Sequence, residues 1–120
     1  MKAIKNFSAI CLLAFATILI TSCSKSDTSG SLLGPSGHAV TIQAMQFQPA
    51  TLTVVAGDQI TWTNTDTQAH TVTSNDGTSF NSGNIAPQGT FTVTLNVNGS
   101  YPYHCSLHPT MTGTIQVVTR

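Results

Sequence analysis

"TLTVVAGDQITWTNT", residues 51–65, is the stretch that decides the fold. Its two halves are rich in Thr, Val and Ile, and they are joined by an Ala-Gly-Asp step at residues 56–58. β-Branched residues with a period of two predict strands, and a Gly-Asp pair between them predicts a tight turn. We therefore expect two consecutive strands here, with Ile60 and Trp62 facing the core.

Short runs of the same kind lie on both sides of this stretch, and none of them keeps a helical period. They are "AVTIQAMQF" (39–47), "AHTVTS" (69–74), "GTFTVTLNV" (89–97), "SYPYHC" (100–105) and "TGTIQVVT" (112–119). Short strands at this spacing, with Asn-Asp-Gly and Asn-Gly turns between them, are typical of an all-β sandwich or barrel. The chain has 120 residues, so we predict a single domain of this class, over residues 38–120.

The first residues of the chain do not follow this strand-like pattern. Lys2 and Lys5 precede the apolar stretch "AICLLAFATILI", residues 9–20, which is too short to span a bilayer comfortably. A basic start followed by a short apolar stretch indicates a secretory signal peptide, which we predict over residues 1–22. The protein is therefore expected to be exported.

The end of this segment, "LITSCS", resembles the lipobox of bacterial lipoproteins. In that family the cysteine, here Cys23, becomes the first mature residue and carries acyl chains, which anchor the protein in a membrane facing the periplasm or the cell surface. The Ser- and Gly-rich residues 23–37 are then a flexible tether. The alternative is ordinary cleavage near Ser22, which would release a soluble exported protein.

The remaining cysteine and the net charge limit the kinds of site and of binding partner that we expect. Cys11 lies in the signal peptide, so Cys105 is the only cysteine of the predicted domain and cannot form a disulfide within it. A lone thiol in an oxidising compartment is open to oxidation unless something such as a metal protects it. After Cys23 there are two positive and four negative side chains, a net charge of −2. Because the sequence has no basic patch, we expect no nucleic-acid partner.

A cluster of metal-binding side chains lies in "YPYHCSLHPTMTG", residues 101–113. Alternate residues of a strand share a face, so His104 should point away from Cys105. The proline after His108 blocks a regular helix interior, which favours a tight loop. Such a loop can present Cys105, His108 and Met111 to a common centre.

This loop cannot complete a metal site alone. His38 borders the tether and needs no special role, whereas His70 lies between a turn-rich stretch and a short strand. We therefore expect His70, Cys105 and His108 to form a trigonal set with Met111 as a long axial ligand, which is the ligand set of a blue-copper electron-transfer site. The thioether argues against the alternative of a structural zinc site.

The Cys-x-x-His-x-x-Met motif of residues 105–111 resembles the type 1 copper loop of the cupredoxins, and its short spacing is similar to that of the amicyanins. "VVAGDQITWTN", "FNSGNIAPQGTFTVTL" and the spacing of Asn64 from His70 extend the likeness to about residues 45–118. The resemblance implies a Greek-key β-sandwich or barrel of the cupredoxin type. It also implies one type 1 copper ion that carries single electrons between redox proteins.

The resemblance further implies supporting roles. The backbone N–H of Thr71, where the amicyanins have an asparagine, is expected to donate to the cysteine sulfur. Asn64 either links the His70 and Cys105 loops or is a simple turn asparagine. A small apolar patch of Ala69, Leu107 and Pro109 around the loop histidine is expected to dock redox partners.

Three classes of function compete at this point. A one-electron carrier fits the ligand set best. Copper storage or delivery could use similar ligands but needs a labile, open site. An enzyme needs an open coordination position, and four side-chain ligands leave none. We therefore predict a non-enzymatic carrier whose domain is monomeric.

Overall fold

A computed structural model describes residues 36–120. Within them there are β-strands but no helix, and hence no helix that could cross a membrane. The strands are β1 (Gly37–Gln43), β2 (Gln46–Gln48), β3 (Thr51–Val55), β4 (Gln59–Asn64), β5 (Thr73–Ser74), β6 (Thr90–Thr94), β7 (Gly99–His104) and β8 (Thr112–Val118). The predicted signal peptide, Cys23 and nearly all of the predicted tether lie outside the described residues.

The strands form two four-stranded sheets, in the orders β2-β1-β4-β6 and β3-β8-β7-β5. The pairs β1–β4 and β3–β8 are parallel, and the other neighbours are antiparallel. Along β4 and β8 buried and more exposed residues alternate, as expected where one face of each sheet covers the core. The predicted all-β sandwich is confirmed.

The stretch at residues 51–65 crosses from one sheet to the other. β3 pairs with β8, whereas β4 pairs with β1 and β6, so these two consecutive strands do not form a hairpin. Gly57 turns the chain with a φ of 97°, in the left-handed region that glycine tolerates. The turn donates hydrogen bonds to the carbonyls of Leu95 and Val118, both at 2.9 Å. It thereby joins the two sheets at one end of the sandwich.

An aromatic cluster fills the middle of the core. The rings of Trp62 and Tyr103 meet edge to face at 5.6 Å, and the Trp62 Nε1–H donates to the Tyr103 hydroxyl at 3.1 Å. Burial raises the pKa of Tyr103 to about 12, against the opposing effect of the Trp62 hydrogen bond. Gly113 faces this ring so closely that a Cβ would lie 2.4 Å from the Tyr103 Cζ. This packing fixes β7, which ends immediately before Cys105.

The run at residues 39–47 is not one strand, although its alternation is continuous. It forms the antiparallel pair β1–β2 around a two-residue turn at Ala44 and Met45, with φ values of 54° and 61°. Neither residue is a typical turn former for this backbone conformation. The Asp66 carboxylate accepts both of their N–H groups, at 2.7 Å and 2.9 Å, and thereby stabilises the turn.

Candidate metal centre

Three side chains from two distant segments converge at one end of the sandwich. His70 lies just before β5, and Cys105 and His108 lie in the loop between β7 and β8. The ligand atoms of all three lie within 4.8 Å of one another. The Cys105 Sγ lies 3.8 Å from the His70 Nδ1 and 3.7 Å from the His108 Nδ1.

These separations fit a metal ion between the three atoms. Metal–thiolate and metal–imidazole bonds of about 2.3 Å and about 2.0 Å that meet at about 120° separate sulfur and nitrogen by about 3.7 Å. His70 and Cys105 are fully buried, and His108 is half-buried. One soft thiolate with two imidazoles in trigonal geometry suits copper. The donor set and its spacing therefore fit the predicted copper ion.

The loop that follows β7 closes on itself through its backbone. The Cys105 N–H donates to the Met111 carbonyl at 3.0 Å, and the Met111 N–H donates to the His108 carbonyl at 2.8 Å. The His108 N–H in turn donates to the Cys105 carbonyl at 3.2 Å. The Met111 side chain is only 3% exposed. A tight loop with these three residues is what the spacing of the motif predicts, and the axial role of Met111 remains a prediction.

Hydrogen bonds hold both the backbone and the side chain of His70. Its backbone exchanges hydrogen bonds with Ile85, at 3.1 Å and 2.7 Å. The Nε2 lies 3.0 Å from the Asp66 carboxylate, which can only accept a hydrogen bond, so the proton lies on Nε2 and Nδ1 faces the sulfur. A carboxylate behind an imidazole is a common way to orient a metal-binding histidine.

Asp66 contacts the His70 ring, and no motif in the sequence indicated this contact. Hydrogen bonds from the Met45 N–H, and then from the Ala44 N–H and His70, hold its pKa below the ordinary value, while burial opposes them. Asp66 precedes His70 by four residues in a turn-rich stretch, where that spacing has no structural meaning. The one available signal was the scarcity of acidic residues, since the whole chain has only four.

Thr71 connects the two segments that carry the three side chains. Its backbone N–H donates to the Cys105 sulfur at 3.2 Å. Its hydroxyl oxygen accepts from the Ser106 N–H at 2.7 Å and from the Thr73 hydroxyl at 3.1 Å. A threonine at this position can therefore hold the cysteine loop through both its backbone and its side chain.

Asn64 is fully buried at the end of β4, and its side chain has three hydrogen-bond partners. The amide donates to the carbonyls of Gln68 and Ile85, at 2.8 Å and 2.9 Å, and its oxygen accepts from the Asp66 N–H at 3.0 Å. These bonds shape the segment that ends at His70, and none of them reaches the cysteine loop. Asn64 thus supports His70 by organising a turn.

The other two histidines lie outside the cluster. The His104 ring pairs with the Asn75 side chain at 2.7 Å, away from the cysteine sulfur. His38 does have a partner, contrary to what its place beside the tether indicated. Its Nε2 lies 2.9 Å from the Asp58 carboxylate.

The residues of the expected apolar patch come from two segments: Ala69 directly precedes His70, whereas Leu107 and Pro109 flank the loop histidine, His108. Leu107 is 48% exposed, Pro109 is exposed, and Ala69 and His108 are half-buried. A loop that holds a metal ligand thus also presents apolar side chains at the surface.

Comparisons with known proteins agree with this geometry. The sequence matches the family of cupredoxin-like domains over residues 9–117. It is 34% identical to amicyanin-alpha of Methylorubrum extorquens, over 69% of this chain and 74% of the relative. It is 27% identical to the amicyanin of Paracoccus versutus, over 87% of this chain and 82% of the relative.

A solved structure shows the same relationship. A methionine-to-glutamine variant of amicyanin with Cu(I) superposes with a TM-score of 0.66 at 26% identity, covering 69% of this chain and 83% of that one. Together with the spacing of His70, Cys105 and His108, this confirms the prediction of a single type 1 copper ion. Fold, site and sequence thus lead to one conclusion: the chain belongs to the cupredoxin-like family.

Proposed function

We propose that the protein is a one-electron carrier in which His70, Cys105 and His108 bind the copper ion and Met111 is its axial ligand. The observation that carries this proposal is the cluster of three ligand atoms within 4.8 Å, built from two segments and largely closed to solvent. The bound copper supplies the chemistry, a change of one electron between Cu(I) and Cu(II).

We expect the residues around the site to hold the ligands in the same positions in the Cu(I) and the Cu(II) states. Cys105 would bind copper as a thiolate, because a bound metal ion displaces the thiol proton. The Thr71 N–H donates to that sulfur and stabilises its negative charge. Asp66 holds the ring of His70. Ligands fixed from behind in this way rearrange little, which favours rapid electron transfer.

Electrons would enter and leave through His108, the one ligand of the cluster that is half-buried rather than buried. Ala69, Leu107 and Pro109 form the proposed docking patch around it for redox proteins. A small apolar surface suits brief complexes, because transient redox partners use small interfaces. The domain would act as a monomer in these encounters.

Copper storage or delivery is the alternative function, and burial argues against it. His70 and Cys105 are 0% exposed and Met111 is 3% exposed, so little of the site is open for ligand exchange. An enzymatic role has less support, because a fourfold side-chain ligand set leaves no position for a substrate.

We also propose that the protein is exported and anchored by lipids on Cys23, at the periplasmic or cell-surface side of a membrane. The support is the basic and apolar leader followed by the lipobox-like "LITSCS". Cells fed radiolabelled palmitate should label the wild-type protein but not the Cys23→Ala variant. Equal labelling of both would contradict the anchor.

The main experiment is copper(II) reconstitution followed by visible spectroscopy. The wild-type protein should show an intense absorption band from charge transfer between the Cys105 sulfur and copper. The Cys105→Ser variant should lose it, and the matched variant His104→Ala should keep it. A colourless wild-type protein, or a coloured Cys105→Ser variant, would refute the proposed function.

A further inference from the structure

The β1–β2 turn, formed by Ala44 and Met45, has an unusual backbone for its residues. Two-residue hairpin turns with positive φ at both positions normally use Gly, which lacks a Cβ, or Asn and Asp, whose short polar side chains tolerate the left-handed region better than other side chains. Here the positions with φ of 54° and 61° hold an alanine and a methionine. Something other than local preference must hold this turn in place.

Asp66 supplies that support from a different part of the chain. Its Oδ1 accepts the Ala44 N–H at 2.7 Å, and its Oδ2 accepts the Met45 N–H at 2.9 Å. The same Oδ2 lies 3.0 Å from the His70 Nε2. One carboxylate therefore connects the turn directly to the imidazole whose other nitrogen faces the Cys105 sulfur.

The position of this carboxylate is fixed by more than the turn. The Asp66 N–H donates to the Asn64 side chain at 3.0 Å. Next to it, the Thr65 N–H and hydroxyl both donate to the carbonyl of Ile42 in β1, at 2.9 Å and 2.8 Å. The carboxylate thus lies between two backbone segments that are tied to each other. It cannot move away from His70 without losing its bonds to the turn.

We propose that the β1–β2 turn is a positioning element of the copper centre: through Asp66 it fixes the ring of His70 and the negative charge beside it, and so sets the midpoint potential. This inference rests on the proposed electron-carrier function. A negative charge near the metal favours the more highly charged Cu(II) state. Holding the carboxylate against His70 therefore lowers the potential.

The turn also adjoins the surroundings of the proposed axial ligand. Met45 and Met111 line the same cavity of about 170 Å³. The backbone of the turn donates hydrogen bonds to Asp66, which contacts His70. The Met45 side chain lines the same cavity as Met111. A change of the Met45 side chain therefore alters the surroundings of Met111.

The chain contains a matched control for this idea. Asp58 also accepts two backbone N–H groups and lies 2.9 Å from a histidine Nε2, that of His38, but this pair makes no contact with the copper ligands. The midpoint potentials of Asp66→Asn and Asp58→Asn should therefore be compared with that of the wild-type protein. Asp66→Asn should keep the copper band and show a higher potential, whereas Asp58→Asn should keep the wild-type potential.

Two further variants test the turn itself. Ala44→Gly keeps both N–H groups and the Met45 side chain and tolerates positive φ, so its potential should equal that of the wild type. Ala44→Pro removes one N–H and cannot adopt the turn, so its potential should rise as in Asp66→Asn. A folded Ala44→Pro protein with the wild-type potential would overturn the inference.

Hydrogen exchange in the metal-free protein gives a second readout that does not require copper. The Ala44 and Met45 amides should exchange roughly tenfold faster in Asp66→Asn, as expected for a weakened hydrogen bond, while amides of β4 keep their rates. Unchanged exchange would overturn the inference. Failure of the proposed electron-carrier function can be distinguished from failure of this inference. In that case the wild-type protein itself would lack a reversible one-electron couple.

Discussion

Two carboxylate–histidine pairs lie in different parts of the sandwich and share one design. In each pair an aspartate accepts hydrogen bonds from two backbone N–H groups and lies about 3 Å from a histidine Nε2. One pair is Asp66 with His70, at 3.0 Å, and the other is Asp58 with His38, at 2.9 Å. The two pairs have similar local chemistry, except that the Asp58 carboxylate also lies 3.9 Å from the exposed guanidinium of Arg120.

The two pairs differ in the surroundings of the imidazole on the side that faces away from the carboxylate. The His70 side chain is 0% exposed, and its Nδ1 lies 3.8 Å from the Cys105 sulfur. The His38 side chain is 29% exposed, and its partner Asp58 is only 3% exposed. The first pair therefore orients a metal ligand, whereas the second ties the start of β1 to the β3–β4 turn. A carboxylate behind a histidine becomes functional only when the fold brings a second ligand to its other face.

Removing each histidine should give the largest contrast between the pairs. His70→Ala should abolish the intense visible band on addition of copper(II), because one of three equatorial ligands is lost. His38→Ala should keep the band and lose only stability. Visible spectra of the two variants at equal copper loading measure the difference.

Either of two results would break this comparison. A blue His70→Ala protein would mean that another group completes the site. Loss of the band in a folded His38→Ala protein would mean that the second pair also acts on the copper centre.

Asp58→Asn should have the next largest effect, on stability alone. Hydrogen bonding to His38, followed by the Val55 and Ser36 N–H groups, lowers the pKa of Asp58 from 3.8 to about 2, although burial opposes the shift. That difference corresponds to about 2 kcal/mol of stability near neutral pH. Urea unfolding of the metal-free protein at pH 7 should show a loss of this size.

The same aspartate predicts a pH dependence with a defined sign. Because its pKa is lower in the folded state, its contribution is complete above about pH 4 and disappears as the pH falls toward about 2. The difference in stability between wild type and Asp58→Asn should therefore shrink over this range. A difference that stays constant down to pH 2 would show that the charge of Asp58 is not its source.

The smallest effect should come from substitutions of Thr71, which change its side chain and leave its backbone N–H in place. Thr71→Ala keeps the N–H that donates to the sulfur but leaves the Ser106 N–H without its partner. We expect a type 1 spectrum close to that of the wild type and a loss of about 1 kcal/mol in unfolding free energy. Thr71→Ser keeps the hydroxyl and should recover most of that loss. A large spectral change in Thr71→Ala would show that the side chain acts on the copper itself.

Much of the centre could be predicted from the sequence because its signals are local. Cys105, His108 and Met111 lie three residues apart around a proline, a spacing that implies a tight loop in any fold. The alternation of Tyr103, His104 and Cys105 gave the side of the strand on which each residue lies. The fold class followed from the same period of two in the other strands.

The remaining features depend on contacts between distant residues. Asp66 has no distinguishing neighbours in sequence, and its bonds to Ala44 and Met45 span more than twenty residues. Without that carboxylate the alternation at residues 39–47 predicts one continuous strand, since an Ala-Met pair gives no turn signal. The role of His38 was hidden for the same reason, because Asp58 follows it by 20 residues.

The most direct test of the central claim is voltammetry of the copper-loaded protein, with the charge counted per chain. A closed centre made by His70, Cys105, His108 and Met111 predicts a reversible couple of one electron per protein. It also predicts no catalytic current, because the ligand set leaves no position for a substrate. An irreversible response, or copper that leaves the protein on reduction, would contradict an electron carrier and favour copper delivery instead.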